Sequence, residues 1–224
     1  MLACTVRQWL AFSAAVAIVG CGSGPDGMSG RDMMNLCIAL EEYKEDFATY
    51  PPSRIWWRAQ AGTGQWPAGW PEGWSWSTER TEGALSMEGA ECLVYFLGGG
   101  PNATGFEASS GVYGPYYDFP KEGLIDVDAD SLRECADGSR RECAILYFKA
   151  DRSRPGKEYD AGDNAAIVDA ADAKPGEPGR NAQGAYFLSA KYQIISAGRD
   201  GRYHRAGDAD PSADDVTNFV YSQN

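Results

Sequence analysis

The sequence has very little of what most catalytic and nucleic-acid-binding proteins need. Only one of its 224 residues is a histidine, His204. It contains no Gly-x-Ser-x-Gly elbow, no phosphate-binding loop and no His-Glu-x-x-His sequence. Basic residues are scarce as well, with 20 lysines and arginines against 32 aspartates and glutamates, a formal net charge of −12. Because these catalytic sequences are absent, we expect a non-enzymatic protein. Because nucleic acids bind to basic surfaces, we also expect that it binds no nucleic acid.

Cysteines are also few, and their spacing does not suit zinc. Two of the six, Cys4 and Cys21, lie near the N-terminus, and no Cys-x-x-Cys pair occurs. An even number of remaining cysteines in an exported chain favours two disulfides, with three possible pairings. We expect one bond to close a hairpin and the other to join two helices. The hairpin pair is Cys135 and Cys143, and the helix pair is Cys37 and Cys92.

Residues 1–20 have the composition of an export signal. Arg7 supplies one positive charge, and Trp9–Val19 is an apolar run. This run is too short to span a bilayer as a helix, which needs about 20 residues. It ends in Ile-Val-Gly-Cys at Cys21, which resembles the lipobox of bacterial lipoproteins. The alternative is an ordinary secretory signal with a chance cysteine.

The lipobox resemblance implies that the chain is cleaved before Cys21 and acylated on this residue. Several acyl chains anchor a protein stably where one does not. We therefore expect an exported protein, anchored by lipid to the bacterial cell envelope. Gly22, rather than an aspartate, follows the cysteine, which favours the outer membrane or cell surface over the inner membrane. The glycine-rich residues 21–30 predict a flexible tether, and residues 31–224 form the domain.

The domain carries the patterns of two helices. Apolar residues recur every three or four positions along Arg31–Ala48, as in an amphipathic helix. Pro51 and Pro52 follow it and prevent its continuation. A second helix is predicted over Ser86–Leu97, where the glycines from Gly98 end it.

Strand patterns lie mainly in the second half of the chain. We expect them at Leu124–Val127, Ala144–Lys149 and Tyr186–Ala197, because β-forming residues are concentrated there. The polar stretch Asp151–Arg180 predicts a long loop. The fold class is therefore α+β, with a long N-terminal helix packed on a small antiparallel sheet and with long loop insertions.

Tryptophan is concentrated in Ser53–Ser77, a stretch rich in glycine and proline. Its lack of a regular period predicts an irregular insertion. Flat rings at this density suit a surface that binds carbohydrate or a partner's peptide. The alternative is a small local core in which the rings pack on one another. The residues expected on the ligand surface are Trp66, Trp70, Trp74 and Trp76.

The C-terminal part combines a strand, a turn and an acidic loop. Ser196–Gly201 reads Ser-Ala-Gly-Arg-Asp-Gly, and Asp214–Phe219 reads Asp-Asp-Val-Thr-Asn-Phe. Clustered carboxylates with nearby backbone carbonyls suit calcium better than a transition metal, although a solvated acidic loop is the plain alternative. The two segments are similar to the C-terminal end of the type II secretion major pseudopilins, whose loop binds calcium. The helix before Pro51 also resembles the pseudopilin spine helix.

This resemblance implies a pilin-like fold and a structural or interaction role among envelope or secretion-apparatus proteins. It implies calcium as the bound ion. The unbroken apolar helix that packs pseudopilins into filaments has no counterpart here, which puts polymerisation in doubt. The implied ligands are Asp200, Asp214 and Asp215, joined by Asp208 or Asp210 and by the backbone near Ser196.

A second acidic turn has the ligand spacing of a metal site in part. Asp126, Asp128 and Asp130 alternate as the first ligands of an EF-hand loop do. Ser131 stands where that loop has its glycine, and Asp137 where it has its bidentate glutamate. The spacing alone therefore leaves a metal site and a solvated acidic loop both open.

Overall fold

The computed structural model describes residues 30–59, 74–77, 85–100, 105–108, 111–130, 132–137, 140–170, 177–181, 183–198, 201–203 and 215–219. The predicted signal peptide lies outside these ranges. So do Cys21, the predicted site of acylation, and all of the predicted tether except Gly30. None of the described helices is long and apolar enough to cross a membrane.

Both predicted helices are present, at slightly different bounds. Helix α1 (Gly30–Phe47) confirms the first prediction, since it buries the predicted apolar stripe, including Leu36, Leu40 and Tyr43. Helix α2 (Gly89–Leu97) ends at Gly98 as predicted. It begins three residues later than predicted, because Ser86 and Met87 belong to a strand. A third short helix, α3 (Ala165–Ala170), follows a 3-10 turn at Ala161–Asn164.

The strands are short, and all their pairings are antiparallel. In chain order they are β1 (Ile55–Ala59), β2 (Trp74–Ser77), β3 (Leu85–Met87), β4 (Phe106–Ala108), β5 (Gly111–Tyr113), β6 (Leu124–Ile125), β7 (Glu134–Asp137), β8 (Arg140–Ala144), β9 (Leu146–Lys149), β10 (Tyr192–Ser196) and β11 (Val216–Thr217). The described residues therefore form a mixed helix and sheet structure of the α+β class, as predicted.

These strands form four small sheets within the described residues. Their strand orders are β2-β1-β3, β11-β10-β9, β4-β5 and β6-β7-β8. The single strand predicted over Ala144–Lys149 is divided between two strands. Ala144 ends β8 in the β6-β7-β8 sheet, and after Ile145 the chain continues as β9 in the β11-β10-β9 sheet. The insertion predicted to be irregular also contains strands β1 and β2, which pair with each other.

Two hydrophobic clusters lie on opposite faces of strands β9 and β10. The first cluster contains Tyr147 and Ile194 together with the buried faces of α1 and α2. The second contains Phe148 and Ile195 together with residues from the 151–170 segment and from the C-terminal part. Since successive side chains of a strand alternate between faces, this central pair of strands is buried on both sides.

The stretch predicted as one long loop, Asp151–Arg180, contributes to the core. Tyr159 and Ile167 are buried in the second cluster, and α3 lies within this stretch. The stretch is polar and rich in glycine, proline, aspartate and alanine, which is why the sequence predicted a loop. The prediction was wrong for the part that includes Tyr159 to Ile167.

A polar network surrounds the first turn of α2. The side chain of Asn164 accepts a hydrogen bond from Ala90 N (2.8 Å) and donates one to Tyr147 O (3.0 Å). Glu88 forms a salt bridge with Arg54 (2.6 Å) and accepts a hydrogen bond from Ala166 N (2.9 Å). These contacts join α2 to β9, to α3 and to the chain before β1.

We predict that Gly89→Ala strongly destabilises the protein. A Cβ atom at this position would lie 2.0 Å from Tyr147 O, a backbone atom of a strand that is paired with β10. Because this backbone cannot move without breaking the sheet, we expect a loss of about 1–3 kcal/mol or more in the free energy of unfolding. Urea unfolding measures it. The matched control is Gly123→Ala, where the nearest atom would lie at 3.4 Å; equal midpoints for the two variants would contradict the close approach.

We also predict that Asp163 makes the stability depend on pH. Burial raises the pKa of Asp163 to about 7, although the Ser53 hydroxyl and the charge of Arg54 oppose this shift. The folded state therefore holds a proton that the unfolded state has already lost above about pH 4. The free energy of unfolding should fall as pH rises from about 4 to 7.

Asp163→Asn should remove this part of the decline, because asparagine carries no charge at any of these pH values. Denaturant unfolding at several pH values measures the slope. Asp118→Asn, at an exposed position, is the control and should keep the wild-type slope. A slope in Asp163→Asn equal to that of wild type would show that Asp163 does not hold the proton.

Candidate metal centre

Five acidic residues come together where α2 meets the β6–β7 turn. We call Glu91, Asp126, Asp128, Asp130 and Glu134 the acidic cluster. Glu91 lies in the first turn of α2, the three aspartates lie between β6 and β7, and Glu134 is the first residue of β7. Two contacts bring them together: α2 packs against β7, and β7 pairs with β6.

The carboxylates lie at distances that a single ion can bridge. One oxygen from each of Glu91, Asp128 and Glu134 lies within 4.8 Å of the other two. The same holds for Asp126, Asp128 and Asp130. Asp128 belongs to both groups, so it connects the buried glutamates to the more exposed turn.

The two glutamates are buried, and each has one oxygen without a partner. Glu91 is 1% exposed and Glu134 is 0% exposed. Oε2 of Glu91 accepts a hydrogen bond from Glu88 N, and Oε2 of Glu134 accepts one from Val127 N at 3.1 Å. Among the described residues, nothing donates a hydrogen bond to Oε1 of Glu91 or of Glu134. An unsatisfied buried polar atom costs about 1–3 kcal/mol, and more when it is charged.

The electrostatics of the acidic cluster follow from burial and from like charges. Burial, assisted by Asp130, Asp128 and Glu134, raises the pKa of Glu91 to about 9. Burial, assisted by Asp128 and Asp126, raises the pKa of Glu134 to about 7. The pKa of Asp128 is raised for the same two reasons. No salt bridge between described residues connects a lysine or arginine to these five.

The aspartate turn partly satisfies itself through local hydrogen bonds. Oδ1 of Asp130 accepts one from Leu132 N at 2.8 Å, and Oδ1 of Asp128 accepts one from Asp130 N at 3.4 Å. Ala129 adopts a left-handed conformation with φ of 63°. Such turns are common without an ion, so the feature that distinguishes this site is the pair of buried glutamates behind the turn.

The sequence located the turn and missed the glutamates. Asp137, at the position where an EF-hand has its bidentate glutamate, is buried elsewhere and accepts a hydrogen bond from Ser196 Oγ at 2.6 Å. Glu134 lies three residues nearer the turn. Glu91 is distant in sequence, and the only available signal was an acidic residue among the apolar residues Ala90, Cys92 and Leu93.

The predicted C-terminal calcium site lies mostly outside the described residues. Asp200, Asp208, Asp210 and Asp214 fall there. Of the other two predicted ligands, Ser196 is buried and Asp215 is half-buried. Ser196 pairs with Val216 across β10 and β11, so the chain leaves β10 and returns to it at the same end.

No disulfide joins the four cysteines of the domain, all of which are among the described residues. Cys37 and Cys92 are buried in the first cluster, as their positions on helix faces predicted. Cys135 packs against the first cluster, whereas Cys143 belongs to the second. A bond between Cys135 and Cys143 would require one thiol to leave its cluster. Oxidation of both pairs stays a prediction.

The tryptophan-rich segment is described only in part. Trp66 and Trp70 lie outside the described residues, and Trp74 and Trp76 lie in β2. The backbone register places Trp57 of β1 opposite Trp76, and Ala59 opposite Trp74. The two described residues of the predicted ligand surface, Trp74 and Trp76, therefore lie on a paired strand rather than on an irregular loop.

No family model, no curated protein and no solved structure matches this chain.

Proposed function

We propose that this chain is a lipid-anchored, non-enzymatic structural or interaction protein of the bacterial envelope, with a domain that resembles the globular part of a type II secretion major pseudopilin. The observation that carries the proposal is the arrangement at the end of β10. The acidic segment between residues 198 and 215 leaves this strand and returns to pair with it at Ser196 and Val216. The pseudopilin resemblance implies a strand that ends in a glycine turn, followed by an acidic loop that reaches a pair of aspartates before an aromatic residue.

The N-terminal helix supports the same proposal. Helix α1 contacts β11 and shares the first cluster with Tyr192 and Ile194 of β10. Tyr192 also donates a hydrogen bond from its hydroxyl to Cys37 O at 3.5 Å, and Tyr50, just after the helix, packs edge-on against Tyr192 at 4.8 Å. A long helix on a small antiparallel sheet is the arrangement that the resemblance implies.

The aromatic residue after the acidic loop supports the proposal as well. Phe219 is buried in the second cluster and stacks on Phe187, with ring centroids 5.1 Å apart. A Cβ atom at Gly179 would lie 2.4 Å from the Phe219 ring. The chain is therefore packed in the core on both sides of the loop, at β10 before it and at Phe219 after it. An ion bound in the loop would order only the residues between these two points.

The first prediction from this proposal concerns the anchor. Intact-mass analysis of protein extracted from membranes should give a chain that begins at Cys21 and carries acyl groups. Cys21→Ser should move the protein from the membrane to the soluble fraction, or stop its processing. A pull-down from native membranes should recover envelope or secretion-apparatus proteins. An unmodified N-terminus elsewhere on a soluble wild-type protein would contradict the anchor.

The second prediction concerns calcium at the C-terminal loop. Clustered carboxylates repel one another by about 1 kcal/mol per pair at 4 Å in water, and an ion removes this repulsion. A ligand at 100 times its dissociation constant adds about 2.7 kcal/mol to the free energy of unfolding. Calcium should therefore raise the melting temperature of the wild type, and the Asp200→Ala and Asp214→Ala variants should each show a smaller increase.

Magnesium should raise the melting temperature less than calcium, because it requires a tighter shell and loses water reluctantly. Asp118→Asn, remote from the loop in sequence, is the control and should keep the full calcium effect. If both loop variants respond to calcium as the wild type does, the loop binds no calcium and this part of the proposal is wrong.

A second candidate function is binding of carbohydrate or peptide by the tryptophan-rich segment. The pairing of Trp57 with Trp76 across β1 and β2 favours it, since paired strands hold residues at fixed positions. Trp70→Ala combined with Trp74→Ala should abolish binding on a glycan array if this function is correct. Co-purification with envelope proteins that is unaffected by these changes would favour the first function.

A further inference from the structure

We propose that the acidic cluster is a second divalent-cation site, independent of the C-terminal loop, in which Glu91, Asp128 and Glu134 bind one calcium ion with help from Asp126 or Asp130. The residues of this site come from α2 and from the β6–β7 turn, and none of them belongs to the segment between residues 198 and 215. The inference therefore does not depend on the pseudopilin resemblance or on the lipid anchor.

The strongest argument is the unpaired oxygen on each buried glutamate. Glu91 and Glu134 each use one oxygen to accept a backbone N–H and keep Oε1 without a hydrogen-bond partner among the described residues. Asp126 also has a buried oxygen, Oδ1, without a partner. Buried polar atoms in folded proteins almost always have partners. A cation held by Glu91, Asp128 and Glu134 gives both buried glutamates a partner at once, and Asp126 approaches the same ion through Asp128, which belongs to both groups of carboxylates.

The backbone hydrogen bonds give the glutamates fixed positions. Because Glu88 N holds Oε2 of Glu91 and Val127 N holds Oε2 of Glu134, neither side chain can turn away from the other without losing a bond. Positioning of a ligand by an outer hydrogen bond is typical of metal sites. The two glutamates therefore approach each other although their charges repel.

The chemistry of the ligands selects a hard cation. All five side chains offer carboxylate oxygens, and the group contains no histidine or cysteine, which favours calcium, magnesium or manganese over zinc or copper. Oxygens on opposite sides of a calcium ion lie about 4.6–5.2 Å apart, since each is about 2.3–2.6 Å from the ion. The spread of up to 4.8 Å among the three oxygens fits this size. Calcium also tolerates irregular ligand geometry better than magnesium does.

The uncompensated negative charge of the acidic cluster also favours a bound divalent cation. A divalent ion compensates two of the carboxylates, and no described lysine or arginine does so. The competing explanation is that protons rather than a metal neutralise the glutamates, because burial and like charges raise their pKa values. The two explanations make opposite predictions for calcium binding and for the effect of removing one carboxylate.

The experiment uses Asp214→Ala as its background, so that the contribution of the C-terminal loop is reduced. Calcium chloride is titrated into the chelator-treated protein in a calorimeter, and thermal melts are recorded with calcium, magnesium and chelator. We expect about one calcium ion per chain and a rise in melting temperature. Glu134→Gln or Asp128→Asn in this background should weaken binding at least tenfold and remove most of the rise.

Glu134→Gln provides a control against simple unfolding. Glutamine keeps the oxygen that accepts from Val127 N and removes one buried charge, so in chelator this variant should melt at or above the temperature of its background. Asp128 is half-exposed, so Asp128→Asn is less prone than a buried substitution to unfold the protein. Asp118→Asn, at an exposed position outside the acidic cluster, should bind calcium as its background does. The absence of both binding heat and a melting shift in the Asp214→Ala protein would overturn the proposal, and so would unchanged binding in Glu134→Gln and Asp128→Asn.

The result also separates this inference from the proposed function. If the acidic cluster binds calcium and the loop does not, the Asp214→Ala background responds as fully as the wild type. If only the loop binds, the background loses much of the response, and Glu134→Gln and Asp128→Asn leave the remaining response unchanged.

Discussion

The first turn of α2 lies inside the protein, and its backbone groups need polar partners there. The N–H groups at the start of a helix have no partners within the helix. Asn164, in the 3-10 turn before α3, accepts from Ala90 N, and the side chain of Glu88 accepts from the backbone of Glu91. The side chain of Glu91 accepts from Glu88 N in return. These partners come from parts of the sequence more than 70 residues apart in the case of Asn164 and Ala90. The position of α2 on β9 therefore depends on them.

Two glutamates in this one turn have opposite surroundings. Burial raises the pKa of Glu88, but the guanidinium of Arg54 opposes the shift and forms a salt bridge with it. Burial raises the pKa of Glu91 too, but its nearest charges are Asp130, Asp128 and Glu134, which increase the shift. Glu88 thus has its countercharge within the described residues, whereas Glu91 has only further negative charge. Within one helical turn, a cation is therefore needed beside Glu91 and not beside Glu88.

Local patterns predicted the parts of the fold that depend on local physics. Helix α1 was predictable because its apolar stripe has a helical period, and the end of α2 because glycines follow it. The start of α2 was not, since Ser86 and Met87 fit a helix locally but pair with β1 in the structure. The role of Asn164 carries no local signal at all. For the site, alternating aspartates showed the turn, but Glu91 joins it only because α2 packs against β7.

The two ends of the described chain meet in the same core. Helix α1 contacts β11, and Phe219 completes the cluster on the other face of β9 and β10. Contacts between residues this far apart in sequence form slowly, because a long stretch of chain must be ordered first. A growing chain that has reached Ser196 has its central strand but lacks the strand that pairs with its edge. The domain therefore cannot close its core until the chain through residue 219 is available, and until then apolar residues of both clusters are open to chaperones, to proteases and to other copies of the same chain.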